Sequence, residues 1–203
     1  FFYFLLALLT HLASCYRQEG NLETSISLAR EAVNLGYRHF WANMELAIAL
    51  RAKKHFDEAV QYFVACSEID ATQLDPYLNL GDIHLQEGRP REAIKAYEAA
   101  LRLDNQLPLT LINRGNAYHD IGEDQKSINS YLEALAVDPL QAKAHFNLGV
   151  VYDESEQYQK AIDSYDQALK IEPNYIDALY NQAITLKTVG KFSKSESNLR
   201  KCL

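Results

Sequence analysis

Along most of this chain apolar residues recur three and four positions apart. Phe146, Leu148, Gly149 and Tyr152 form one stripe, and Ala161, Ile162, Tyr165, Ala168 and Leu169 form the next. That spacing places them on one face of an α-helix and leaves polar residues on the other. Between two stripes the chain must turn. Gly20, Gly88, Gly122 and Gly190 stand at four such breaks, where a left-handed residue ends a helix at little cost, and Lys54 and Glu156 hold the same place in two others. The prolines agree with the helical pattern. Pro76 and Pro108 open first helices and Pro90 opens a second, where a missing N–H is tolerated, while Pro139 and Pro173 follow helix ends. The pattern predicts pairs of helices of about 12 to 14 residues and no strands.

The pairs repeat. When the chain is shifted by 34 residues against itself, three columns of small residues align. The first holds Ala13, Ala47, Gly81, Gly115, Gly149 and Ala183. The second holds Ser25, Ala59, Ala93, Ser127, Ala161 and Ser195. The third holds Ala32, Cys66, Ala100, Ala134, Ala168 and Cys202. These 18 positions carry only Gly, Ala, Ser or Cys, types that make up 46 of the 203 residues, so the match is not chance. Large residues align beside them: Tyr16, Leu50, His84, Tyr118, Tyr152 and Leu186 in one column, and Phe63, Tyr97, Tyr131, Tyr165 and Leu199 in another, with Ala29 as its short member. Small residues at a crossing let two helices approach, and large neighbours fill the remaining space. Six repeats follow without insertion, at 6–39, 40–73, 74–107, 108–141, 142–175 and an incomplete 176–203.

The run Phe146-Asn147-Leu148-Gly149-x-x-Tyr152, then Tyr158-x-x-Ala161-Ile162-x-x-Tyr165-x-x-Ala168-Leu169 and Glu172-Pro173, resembles a tetratricopeptide repeat. The resemblance spans residues 6–203. The first two repeats depart most, ending in Tyr37 and Ala71 where the family often has proline. It implies an all-α fold, an α-solenoid of antiparallel helix pairs wound as a right-handed superhelix. It also implies a scaffold whose first helices line a concave groove that holds a protein or an extended peptide.

In the groove-facing slot stand His11, Glu45, Asn79, Asn113, Asn147 and Asn181. Four consecutive asparagines form a ladder similar to that of O-GlcNAc transferases. An amide offers two donors and an acceptor, the complement of a peptide backbone. Such a ladder serves either ligand contact or hydrogen bonds within and between repeats. Beside it lie Met44, Ile48, Leu78, Ile112, Phe146, Val150, Tyr180 and Ile184, either an apolar binding strip or packing between adjacent first helices. Acidic residues lead on this face. Glu45, Asp75, Asp82, Asp120, Asp153, Glu154 and Asp177 stand against Arg17, Arg51, Lys143 and Lys187. Some family members clamp the acidic tail of a chaperone with lysine and arginine. The corresponding slots here hold Ile112, Asp177 and Asn181 beside Asn116 and Asn147, so the resemblance implies a neutral or basic partner instead.

Composition narrows the function. The net charge is −7 and the pI about 5.4, a poor match to nucleic acid. Cys15, Cys66 and Cys202 are far apart and odd in number, which predicts free thiols, a reducing compartment and a cytoplasmic protein. Cys66 and Cys202 fall in small core columns and His84 in a large one, so packing explains them. No H-E-x-x-H or G-x-G-x-x-G occurs, and no residue pattern calls for catalysis, a cofactor or a metal. The chain starts without Met on Phe1-Phe2-Tyr3-Phe4-Leu5, an apolar stretch too short to span a membrane. It reads as part of a longer protein whose start either packs on upstream structure or ends a membrane segment. Three functions fit: a peptide-binding scaffold, the non-catalytic arm of a larger enzyme such as an O-GlcNAc-transferase-like glycosyltransferase, or the exposed part of a membrane-anchored protein. On the last helix, Leu199, Cys202 and Leu203 lie on a face that a following element would cover.

Overall fold

In three of the repeats a glycine on the first helix meets a tyrosine ring on the second. A Cβ added to Gly81 would stand 2.3 Å from Cε1 of Tyr97, one added to Gly115 would stand 2.5 Å from Tyr131, and one added to Gly149 would stand 2.6 Å from Tyr165. The three tyrosine rings are fully buried there, each contributing about 2 kcal/mol of apolar burial. Where the first-helix residue is alanine, the partner is never tyrosine: Ala13, Ala47 and Ala183 align with Ala29, Phe63 and Leu199.

The computed structural model describes residues 2–36 and 38–202. The expectations for Phe1, for Tyr37 at a repeat end and for Leu203 on the last helix fall outside these residues. Twelve α-helices and no strand are found among the described residues. They divide between two compact units, Phe1–Leu103 and Asp104–Leu203. In the first, α1 (Phe2–Gln18) pairs with α2 (Leu22–Leu35), α3 (Phe40–Ala52) with α4 (Phe56–Ile69), and α5 (Asp75–Gln86) with α6 (Pro90–Leu103). In the second, α7 (Pro108–Asp120) pairs with α8 (Asp124–Val137), α9 (Ala142–Glu154) with α10 (Tyr158–Ile171), and α11 (Ile176–Thr188) with α12 (Phe192–Lys201). Within each unit a second helix also packs on the first helix of the following pair, so three pairs stack as an all-α solenoid.

The six breaks share one geometry. The residue at the break has positive φ every time, including Lys54 at 63° and Glu156 at 59°. Two backbone bonds close each turn. After α9, Gln157 N donates to Tyr152 O at 2.8 Å and Glu156 N donates to Asp153 O at 2.9 Å, which satisfies carbonyls that the helix end would otherwise leave unpaired.

The two outermost helices differ in length from the 12 to 14 residues that periodicity predicts. The first, α1, has 17 residues and begins at Phe2, because nothing in the apolar start breaks the helix. Leu6 and Leu9 are buried, whereas Tyr3 and Phe4 are exposed. The last, α12, has 10 residues; Leu199 on it is exposed and Cys202 is half-buried. No helix among the described residues is long and apolar enough to cross a membrane.

Candidate partner-binding site

In the first unit a cavity of about 550 Å³ lies along the first helices. Ala7, Thr10, His11, Ser14 and Arg17 of α1 line it, with Trp41, Met44, Glu45 and Ile48 of α3, His39, and Asp75 at the start of α5. His39 is held in place by the backbone: its Nδ1 accepts from Ala42 N at 3.2 Å and caps α3. Most of the lining comes from the columns that the repeat pattern assigns to the groove. His11 and Glu45 belong to the asparagine slot, Thr10 and Met44 to the apolar column beside it, and Ser14 and Ile48 to the column one turn on. Met44 is only 5% exposed, so it forms floor rather than rim.

Two carboxylates on this face are paired with arginines of the preceding first helix. Arg17 holds Glu45 through two contacts, Nε to Oε1 at 2.6 Å and Nη2 to Oε2 at 3.2 Å, and Glu45 is buried. Arg51, one repeat later, donates to Asn79 Oδ1 and reaches Asp82 Oδ2 at 3.4 Å. Both arginines reach the groove slot of the next first helix, 28 residues on. Asp82 also accepts the Tyr97 hydroxyl at 2.9 Å. The sequence reading treats Glu45 and Asp82 as acidic surface; in the fold their charge is paired, because an arginine six residues past the slot reaches the adjacent first helix.

The asparagines divide in the same way. Asn79 accepts from Arg51 and donates to the Asp75 carbonyl at 2.8 Å, so most of its amide serves the structure. Asn147 donates to Asn116 Oδ1 at 2.7 Å, and the Tyr131 hydroxyl donates to the same oxygen at 2.8 Å. That network joins α7, α8 and α9. Burial pushes the Tyr131 phenol up to about 12, so it stays a neutral donor. Asn113 is half-buried. Asn181 is half-buried and makes no side-chain hydrogen bond among the described residues.

The apolar column is uneven. Ile112 is 1% exposed and offers no open surface. Leu78 and Val150 are half-buried. Phe146 packs against the rings of Tyr165 and Tyr175, with centroids 6.0 and 5.0 Å away. Tyr180 is 53% exposed, and Ile184 beside it is exposed as well. Residues of this type therefore pack between neighbouring helices in most repeats and reach solvent chiefly on α11.

Trp41 belongs to the cavity but not to the residues that sequence reasoning selects, whereas Asp75 enters that reading as one of the acidic residues of the groove face. A signal for Trp41 exists. It is the only tryptophan, and its column reads Ala7, Trp41, Asp75, Leu109, Lys143, Asp177, a variability that core columns do not show. Among the described residues no group of three or more His, Cys, Asp or Glu is placed to hold a metal ion. Cys66 is buried, with its thiol pushed up to about 12, and acts as core.

Repeated antiparallel helix pairs joined by left-handed turns define a helical-repeat scaffold. Tetratricopeptide repeat families match residues 42–73, 81–122, 115–155, 142–175 and 164–197, and the chain belongs to the tetratricopeptide repeat family. Solved structures of similar fold include a MamA protein, at 26% identity over 81% of this chain and 90% of that one, with a TM-score of 0.76. YrrB, described as a TPR protein with an unusual peptide-binding site, shares 21% identity over 84% and 88% of the two chains, with a TM-score of 0.77. A tetratricopeptide repeat protein from Parabacteroides merdae shares 13% identity over 97% and 78%, with a TM-score of 0.83. No curated protein sequence matches the chain.

Proposed function

We propose that this chain is a polypeptide-binding scaffold, and that the first helices of its repeats hold an extended segment of a protein partner. The observation that carries this reading is the cavity of about 550 Å³ in the first unit, lined by groove columns of the repeat. Globular proteins leave concave, partly apolar surface of this size mainly where something binds. In the second unit Asn113, Asn147 and Asn181 supply amides, and Phe146, Val150 and Tyr180 supply apolar contact. In the first unit Leu78, Asn79 and Asp82 continue the same columns. The partner is neutral or basic, since the slots that would meet an acidic tail carry Ile112, Asp177 and Asn181. The likeness to YrrB extends to fold alone, and its peptide-binding site serves here only as a precedent.

The test is selection of 12-residue peptides from a random displayed library, followed by titration of a labelled selected peptide. Saturable binding that weakens in Trp41→Ala or in Asn113→Ala/Asn147→Ala is expected. Peptides that bind both variants as well as the parent chain would place the site on the second helices.

A further inference from the structure

In the first unit one column of the repeat runs Ala7, Trp41, Asp75 on three successive first helices, and all three line the cavity. Each contributes something different. Ala7 has almost no side chain and leaves room. Trp41 is 60% exposed, although tryptophan carries a large apolar area and is highly buried on average. Asp75 is exposed and has no ion-pair partner among the described residues. The other carboxylate in the wall, Glu45, is already neutralised by Arg17, so Asp75 carries the uncompensated charge of the cavity. Met44 and Ile48 supply an apolar floor.

An indole face, a free carboxylate and an apolar floor in one cavity complement a side chain with an apolar stem and a flat cation at its tip. We propose that this cavity takes an arginine side chain of the partner, with the guanidinium stacked on Trp41 and paired to Asp75. Arginine fits better than lysine because its guanidinium is planar, stacks on aromatic faces and is weakly hydrated. This deepens the polypeptide-binding reading and rests on it.

Trp41 is the only tryptophan, so its emission reports on this cavity alone. The probes are two acetylated, amidated pentapeptides, Ala-Ala-Arg-Ala-Leu and the same peptide with citrulline, which keeps the shape of arginine and removes its charge. The arginine peptide is expected to change Trp41 emission saturably, to bind about threefold to tenfold more tightly than the citrulline peptide, and to weaken in 0.5 M NaCl. Asp75→Asn should bring its affinity most of the way down to that of the citrulline peptide, with the stacking on Trp41 supplying the remainder, and leave the latter unchanged. In Trp41→Leu, followed by calorimetry, the preference for arginine should shrink. Equal binding of the two peptides, or no effect of Asp75→Asn, overturns the proposal. So does a silent Trp41 with both peptides. If library-selected peptides still bind the first-helix face in any of those cases, only the arginine assignment fails; if they do not, the scaffold reading fails with it.

Discussion

At the scale of single residues, the pairing of Gly with Tyr is the most testable feature. Gly115→Ala would press a Cβ to within 2.5 Å of the Tyr131 ring. Overpacking of this kind costs about 1–3 kcal/mol. Tyr131→Leu in the same chain should recover part of that loss, because alanine already faces Leu199 in the last repeat. A double-mutant cycle by urea denaturation measures it, and strictly additive effects would mean that the two residues do not touch. His84 offers a second test. It holds a column otherwise filled by tyrosine and leucine, its Nδ1 is buried without a hydrogen bond, and burial holds its pKa below 6.5, helped by Arg89 and opposed by Glu92. The unfolded chain therefore binds the proton more readily, so the stability linked to this group is whole above about pH 6.5 and drains away as pH falls through the lower folded value. His84→Leu should raise stability at pH 7.5 by about 1 kcal/mol, since an unsatisfied buried group is removed. It should raise it further at pH 5.5. Thermal melts at the two pH values check this, and an unchanged pH dependence would contradict it.

At the scale of helices and turns, the residue at each break matters more than its neighbours. Lys54 and Glu156 sit at positive φ with a side chain that this conformation disfavours by about 1–2 kcal/mol. Part of any gain from glycine is lost to its freedom in the unfolded chain. Lys54→Gly and Glu156→Gly should each stabilise by about 0.5–1 kcal/mol, and Gly122→Ala should destabilise by a similar amount, as measured by chemical denaturation. This level of structure was largely legible in the residues. Columns of small and large side chains recur every 34 positions because each repeat meets the same neighbours, and every break residue is found at positive φ. Helix length at the two outermost helices was not legible. Nothing in an apolar run such as Phe2–Leu9 marks where packing stops, and helix termini are set by contacts as much as by local sequence.

At the scale of the whole molecule, two units of three helix pairs present the same columns along their first helices. The candidate site was only half legible there. Periodicity identifies which helix face lies away from the core, and the cavity falls on that face in the first unit. It does not tell which polar groups satisfy each other. Arg17 and Glu45, or Arg51 and Asn79, are 28 residues apart and meet only because adjacent first helices are brought side by side. The same limit applies to Asn147, whose amide bonds Asn116 in the free chain and would have to share that role with a ligand. The most direct test of the scaffold function is titration of a library-selected peptide against Asn113→Ala/Asn147→Ala, with circular dichroism and thermal melting to confirm the fold. Each lost ligand bond is worth about 0.5–1.5 kcal/mol, so a folded double mutant should bind about fivefold to a hundredfold more weakly. Unchanged affinity in that folded variant would contradict a groove on the first helices and leave the asparagines as ties between repeats.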